Sequence, residues 1–286
     1  MERTNMDNID TKLYGNKHLD IAYGNHADQK MDLYLPENGT GPYPVLIFLH
    51  GGAFMFGDKQ DFQVRPFLKG LERGYGVISA NYRLAVETKY PEPLFDVKAV
   101  VAWVKEKGRE FGLDGQRIAL VGESAGAYYA VMAAATQNRR EFDGSNPPDT
   151  VVQAVVDLYG PTDFTMMKPH FEESDVKPLG LDDLGDLSPE EVLLGASYEQ
   201  ILGLFRFSNP ILYVDENMPP ILIQHGKMDG VVPYQQSTIL AEAIKKQGGK
   251  NEVTLELFDE FEHADPAFET DEKIDRIFRF LDKHLK

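Results

Sequence analysis

Ile118-Ala119-Leu120-Val121-Gly122-Glu123-Ser124-Ala125-Gly126-Ala127 decides how the rest of the chain is read. Four apolar residues run into a G-x-S-x-G pentapeptide, and a nearly all-apolar helical pattern follows over 124–137. A buried strand turning sharply into a buried helix accounts for both glycines, because side chains there would have no room. The same turn lifts the Ser124 hydroxyl clear of the sheet. It also sets that hydroxyl over a helix N-terminus, with its unpaired N–H groups and positive potential. A Gly-rich turn with Ser124 as a simple N-cap is the plainer reading of these residues.

Similar apolar runs recur on either side: Val45 to Leu49, Gly76 to Ala80, Val151 to Leu158, Ile221 to Gln224 and Val253 to Phe258. Uninterrupted runs of this length suit strands buried on both faces. Helical patterns lie between most of them. Val97, Val100, Val101 and Val104 share one helical face, and Ile274, Phe278, Leu281 and Leu285 share another. Strand alternating with helix predicts an α/β fold, a mostly parallel sheet with helices on both faces. His18 to Tyr23 and Lys30 to Leu35 alternate in polarity and predict an opening hairpin. Residues 1–17 read as a loose polar tail, which leaves 18–286 as a single domain. Residues 164–208 break the alternation, with Pro169, Pro178, Pro189 and nine acids against three bases. Such an excursion is a cap or a disordered loop. The apolar residues Val192, Leu193, Leu194, Ile201, Leu202 and Leu204 favour an ordered cap insertion.

Composition narrows the function. The 286 residues contain no cysteine, which excludes thiolate metal sites, disulfides and cysteine nucleophiles. Acidic residues outnumber basic ones by 46 to 29, for a net charge of −17, and a surface so negative repels nucleic acid and anionic membranes. The first 20 residues hold no apolar stretch, so no secretory signal is read there and a cytoplasmic location is expected. No metal-binding, phosphate-binding or dinucleotide motif occurs, so no metal or organic cofactor is implied. A small-molecule partner is expected, and a homo-oligomer is left open.

A serine hydroxyl is a weak nucleophile. It needs a base, and the base needs an orienting acid. With serine on a strand-to-helix turn, the acid and then the histidine should follow it in the chain. His263, in the polar loop Asp259 to Pro266 after the last strand, is the candidate base. His284 competes but falls in the last helical turn, where exposure is expected. His225 precedes the acid and reads as buried at a strand end, whereas His18, His26 and His170 read as solvated. Asp229, in the loop after the Ile221 strand, is the candidate acid, since ligands collect at the carboxyl edge of open α/β sheets. Asp215 and Glu216 precede that strand and belong to the opposite edge. Asp229-Gly230 is also an ordinary turn pair. The last element is His50-Gly51-Gly52-Ala53-Phe54, directly after the first core strand. Its small residues let backbone approach a substrate, and the amides of Gly52, Ala53 and Ala125 are the candidate oxyanion donors. Gly51 frees the turn, and His50 reads as a structural hydrogen-bonder.

The ordered set His50-Gly51-Gly52-Ala53, Asn81-Tyr82-Arg83-Leu84, Gly122-Glu123-Ser124-Ala125-Gly126, Asp229-Gly230-Val231-Val232-Pro233 and His263-Ala264-Asp265-Pro266 resembles the α/β-hydrolase superfamily. The chain is similar to hormone-sensitive-lipase-like carboxylesterases, and closer to their compact acyl-sugar and feruloyl esterase-like members. The resemblance covers about residues 20–285. It implies an eight-stranded sheet, Ser124 as nucleophile, His263 as base, Asp229 as its partner, and small acyl esters as substrates. Ala53 departs from it, standing where many relatives carry a third glycine, and its methyl would narrow the acyl pocket. The short N-terminal region is a second departure and shifts coverage of the site onto residues 164–208. Arg83 and Asp96 also fit the pattern, and from the residues alone they read as a structural ion pair. Trp103 reads as core.

The expected activity is that of a serine carboxylesterase acting on short-chain acyl esters of carbohydrate-derived alcohols through an acyl-enzyme. Because His263 must be neutral, the rate should rise with pH through roughly 6 to 8. Two other readings stand beside it: a serine peptidase of the same fold cleaving short peptides, and a non-catalytic ligand receptor.

Overall fold

The computed structural model describes residues 7–137, 139–143, 148–179, 187–197, 202–248 and 252–286. The apolar runs become β3 (Tyr43–Leu49), β4 (Gly76–Ala80), β5 (Leu113–Glu123), β6 (Ala154–Leu158), β7 (Ile221–Gly226) and β8 (Val253–Phe258). The two alternating segments become β1 (Lys17–Ala22) and β2 (Lys30–Tyr34). All eight join one sheet in the order β1-β2-β4-β3-β5-β6-β7-β8. The pairs β1–β2 and β2–β4 are antiparallel, and every other pair is parallel. The described helices are α1 (Glu92–Lys107), α2 (Ala125–Ala135), α3 (Arg140–Asp143), α4 (Met167–Glu172), α5 (Pro189–Leu194), α6 (Leu202–Phe207), α7 (Gln235–Gln247) and α8 (Asp271–Leu285). None of them is long and apolar enough to cross a membrane.

The sheet is buried on both faces, which is why its central strands carry mostly apolar residues on both sides. In β3, Val45, Ile47 and Leu49 join one core with α1, α2 and α7, while Leu46 and Phe48 join the other with α8. The α8 face is the one read from spacing: Ile274, Phe278, Leu281 and Leu285 are all buried. Two strand starts differ from the sequence reading by three residues or more. β5 begins at Leu113 rather than Ile118, because Leu113 pairs with Tyr43 at the far end of β3. β6 begins at Ala154 rather than Val151, because Gln153 uses its side-chain carbonyl to accept the Ile118 N–H at 2.8 Å.

The tail also departs from expectation. Residues 1–6 lie outside the described residues, but the stretch after them is not loose. The Phe62 amide donates to the Asp7 carbonyl at 2.9 Å and the Ile9 amide to Gln60 at 2.8 Å. Thr11–Leu13 then forms a 3-10 turn capped by Asp10. Between β6 and β7, in the stretch expected as a cap, lie α4, α5 and α6. Leu193 and Leu194 are buried in it, and Ile201 lies outside the described residues. Trp103 is buried against Phe111, and Arg83 makes a two-pronged ion pair with Asp96 at 2.7 and 2.8 Å.

Candidate active site

Four loops meet at the carboxyl edge of the sheet, after β3, β5, β7 and β8. The sharpest follows β5. Ser124 has φ 51° and ψ −118°, a conformation L-residues avoid, and it stands directly before α2. A β-carbon at Gly126 would overlap the Leu49 carbonyl, and one at Gly122 would overlap the Gly126 backbone. The two glycines are therefore a packing requirement of a strand, a turn and a helix held within contact distance of β3.

Ser124, Asp229 and His263 come together. His263 Nε2 lies 3.0 Å from Ser124 Oγ, and His263 Nδ1 lies 2.6 Å from Asp229 Oδ2. Asp229 is almost wholly buried, and its carboxylate is fully occupied. Oδ1 accepts the Val231 and Val232 amides at 2.8 Å each, and Oδ2 faces both His263 and His225. Burial pushes its pKa up, but the hydrogen bonds and charges of the two histidines outweigh burial and hold it well below the usual carboxylate range. An acid held ionised in this way fixes the N–H proton of the imidazole on Nδ1 and leaves Nε2 free to accept from serine.

His225 is the functional neighbour that sequence reasoning missed. It is a buried strand-end residue, as its position predicts, with no exposure. Its Nε2 also faces two acceptors, Asp229 Oδ2 at 3.2 Å and the Val232 carbonyl at 2.9 Å, so this nitrogen carries the proton. Nδ1 then accepts from the Ser237 hydroxyl at 2.7 Å. The four-residue spacing from His225 to Asp229 was the available signal. It was not decisive, because a turn between strand and helix can point the two side chains apart.

The remaining histidines are elsewhere. His50 is buried and stacks on Tyr82 with ring centres 4.5 Å apart, while its Nδ1 approaches the Gly51 carbonyl. His170, read as solvated, is in fact buried, with Nδ1 3.0 Å from Gln236 Nε2. His284, read as exposed, is half-buried against Phe280. Asp215 pairs with Arg139, away from the site.

In the loop after β3, the Gly51 amide is committed to Gln63 Oε1 at 2.6 Å. That leaves the Gly52 and Ala53 amides, and Ala125 at the first position of α2, as the available donors. Gly52 has φ 122°, which glycine adopts freely, and Ala53 and Phe54 follow with φ 49° and 66°, a conformation that residues with a β-carbon disfavour. Ser124, His263, Gly52, Ala53 and Ala125 all line one cavity of about 1300 Å³. Its walls include Phe56, Phe62, Met167, Phe171 and Leu179, and its polar lining includes Gln63 and Glu123.

An eight-stranded sheet of this order, with serine on the turn after β5, acid after β7 and histidine after β8, defines an α/β-hydrolase. The family BD-FAE matches residues 31–244, and the chain belongs to it. Among curated proteins, it is 32% identical to a probable carboxylic ester hydrolase of Mycobacterium tuberculosis, LipM, over 83% of this chain and 54% of the relative. The chain thus spans about half the length of the curated relatives it matches. Among solved structures, a truncated carbohydrate esterase from gut microbiota superposes with a TM-score of 0.82 at 25% identity, covering 97% of this chain and 99% of that one. A bifunctional GH43-CE protein of Bacteroides eggerthii gives a TM-score of 0.82 at 27% identity, over 94% of this chain and 35% of the other.

Proposed function

We propose that the protein is a serine carboxylesterase that removes short acyl groups, acetyl or close to it, from carbohydrate-derived alcohols. The observation that carries this reading is the pair of contacts at His263, 3.0 Å to Ser124 Oγ and 2.6 Å to Asp229 Oδ2. His263 Nε2 takes the serine proton as Oγ attacks the ester carbonyl. Asp229 holds the imidazolium that forms. The carbonyl oxygen becomes an oxyanion, stabilised by the amides of Gly52, Ala53 and Ala125, with each such donor worth several kcal/mol. As the carbon–oxygen bond to the alcohol breaks, His263 gives its proton to the leaving oxygen. Water then repeats the sequence on the acyl-enzyme, releasing the acid and restoring Ser124.

Two things support the substrate class. Relatives and neighbours are named ester hydrolases and carbohydrate esterases. The cavity, about 1300 Å³, is far larger than an acetyl group needs, so its volume suits a bulky alcohol. The test is turnover of p-nitrophenyl acetate together with labelling by a fluorophosphonate. Wild type should do both and Ser124→Ala neither. Turnover that survives in Ser124→Ala removes the serine mechanism. A panel of p-nitrophenyl esters from acetyl to decanoyl tests the acyl group, and a best rate on the longest chain would remove the short-acyl reading.

A further inference from the structure

Two polar side chains beside Ser124 take no part in that mechanism. Gln63 sits in a 3-10 turn (Phe62–Val64), is more than nine-tenths buried, and lines the cavity. Its Oε1 is taken by the Gly51 amide, while its amide nitrogen donates to no acceptor among the described residues. Glu123 is equally buried and lines the same cavity. Gly51 locates Gln63 relative to the reacting serine. The space a β-carbon on Gly51 would fill lies 3.4 Å from Ser124 Cβ and 3.5 Å from Gln63 Oε1.

The Glu123 carboxyl and the Tyr159 hydroxyl are close enough to interact. The Tyr159 ring meets the His263 imidazole edge-on at 4.9 Å. Glu123 is therefore on the His263 side of the serine. The leaving oxygen must also be there, since His263 Nε2 returns its proton to it. Burial raises the Glu123 pKa to about 8, partly offset by Tyr159 and reinforced by the charge of Glu269. At neutral pH the group is thus a carboxylic acid with both a donor and an acceptor, and Gln63 adds two N–H donors. The Gln63 amide nitrogen opens to the cavity, where a ligand oxygen is placed to accept from it.

We propose that Gln63 and Glu123 form a polar clamp on the alcohol half of the substrate. The clamp reads a hydroxyl on the carbon next to the esterified one, so that the site selects monoacylated vicinal diols, the arrangement found in sugars and other polyols. This rests on the serine esterase reading and adds to it the side chains that choose the alcohol.

The test compares trans-2-hydroxycyclohexyl acetate with cyclohexyl acetate, which differ only by the neighbouring hydroxyl. Wild type should favour the hydroxylated ester by roughly ten- to a hundredfold in kcat/KM, as two satisfied neutral hydrogen bonds would give. Gln63→Glu keeps an acceptor for the Gly51 amide but turns the free donors into an acceptor, and Glu123→Leu removes the other arm. Each should cut the preference to about threefold or less. A ratio of rates cancels any general loss caused by disturbing the loop, which a merely structural role would produce equally on both esters. A wild-type preference near one overturns the clamp, and so does an unchanged preference in both variants. If the variants do not fold, the wild-type ratio alone decides. If neither p-nitrophenyl acetate turnover nor fluorophosphonate labelling is seen, the esterase reading fails first. Turnover without discrimination sinks only the clamp.

Discussion

The rim of the sheet and the cap above it are built on different principles. At the rim each reacting side chain is held from several directions. Asp229 receives two backbone amides and faces two imidazoles, and His263 is fixed between Asp229 and the Tyr159 ring. The cap is made of short helices tied down at scattered points. α5 carries its own capping box between Ser188 and Glu191. It is anchored by Lys89 Nζ donating to the Val192 carbonyl at 2.8 Å and by the Tyr90 amide donating to Leu193 at 3.0 Å. The Leu179 amide donates to the Gly230 carbonyl at 2.7 Å, so the cap touches the acid loop itself at that point. The rim is over-determined and suits chemistry, where small misplacements are costly. The stretch between β6 and β7 has fewer such ties among its described residues, and under the proposed function its role would be selection among substrates.

The largest effect should come from removing a rim group. Ser124→Ala should lower kcat by about 10⁴-fold or more on every ester, and Asp229→Asn by about 10³- to 10⁴-fold, with thermal unfolding showing that each variant still folds. Equal residual rates on small and large esters would confirm that the rim acts on chemistry alone. A loss confined to bulky esters would erase the contrast with the cap. Asp229 also ties the rim to acid stability. Its folded-state pKa is depressed, so the stability it contributes is present above the ordinary carboxylate range and is lost as pH falls through that range toward the folded value. Asp229→Asn should flatten the acid limb of a denaturation curve measured between pH 7 and pH 3.

A step smaller is His225. It reaches Asp229 only from behind, so His225→Gln should reduce kcat by about tenfold and leave KM within about twofold, because the acid keeps its two amides and His263. Steady-state kinetics on p-nitrophenyl acetate would show this, and a change in KM alone would place His225 outside the positioning of the acid.

Glu123 separates stability from chemistry at the same rim. Its pKa is raised to about 8 by burial, so between the ordinary glutamate range and pH 8 the folded state keeps a proton that the unfolded chain releases. With more protons bound when folded, stability must fall as pH rises across that window. Glu123→Gln carries no such proton. It should gain on wild type progressively through the window, by about 4 kcal/mol at pH 8, and run parallel to it above. Urea midpoints measured at pH 5, 6.5 and 8 would show the widening gap. A constant offset would mean the carboxyl is already ionised when buried.

Much of the rim was legible in the sequence because its requirements are local. Gly122 and Gly126 follow from a sharp turn, His50-Gly51-Gly52 from backbone approach, and Asp229 and His263 from the order that such a turn imposes. The buried runs gave the sheet because parallel strands covered on both faces leave few positions for polar residues. What the chain concealed is long-range. His225 meets Asp229, Gln63 meets Gly51 and Tyr159 meets His263 through loops whose relative placement no period records. The burial of His170 depends on Gln236, which arrives from α7. Residues 7–13 looked like tail because their anchors, Gln60 and Phe62, are some fifty residues away.

Ala53 makes the finest test of how tightly the rim is tuned. It stands at φ 49° where glycine would be at ease, and its amide is one of the oxyanion donors under the proposed mechanism. Replacing it by glycine removes a left-handed strain of about 1 kcal/mol, and the greater freedom of glycine in the unfolded chain offsets part of that gain. The net change in stability should therefore be within about 0.5 kcal/mol. Because Ala53 also lines the cavity, losing its methyl widens the space beside Ser124. Ala53→Gly should shift the preference toward butyryl over acetyl p-nitrophenyl esters by about two- to fivefold in kcat/KM, since one methyl in a pocket is worth about 1 kcal/mol. A uniform fall on all chain lengths would instead mean that the methyl stiffens the donor loop, and that rigidity at position 53 matters more to the rim than room.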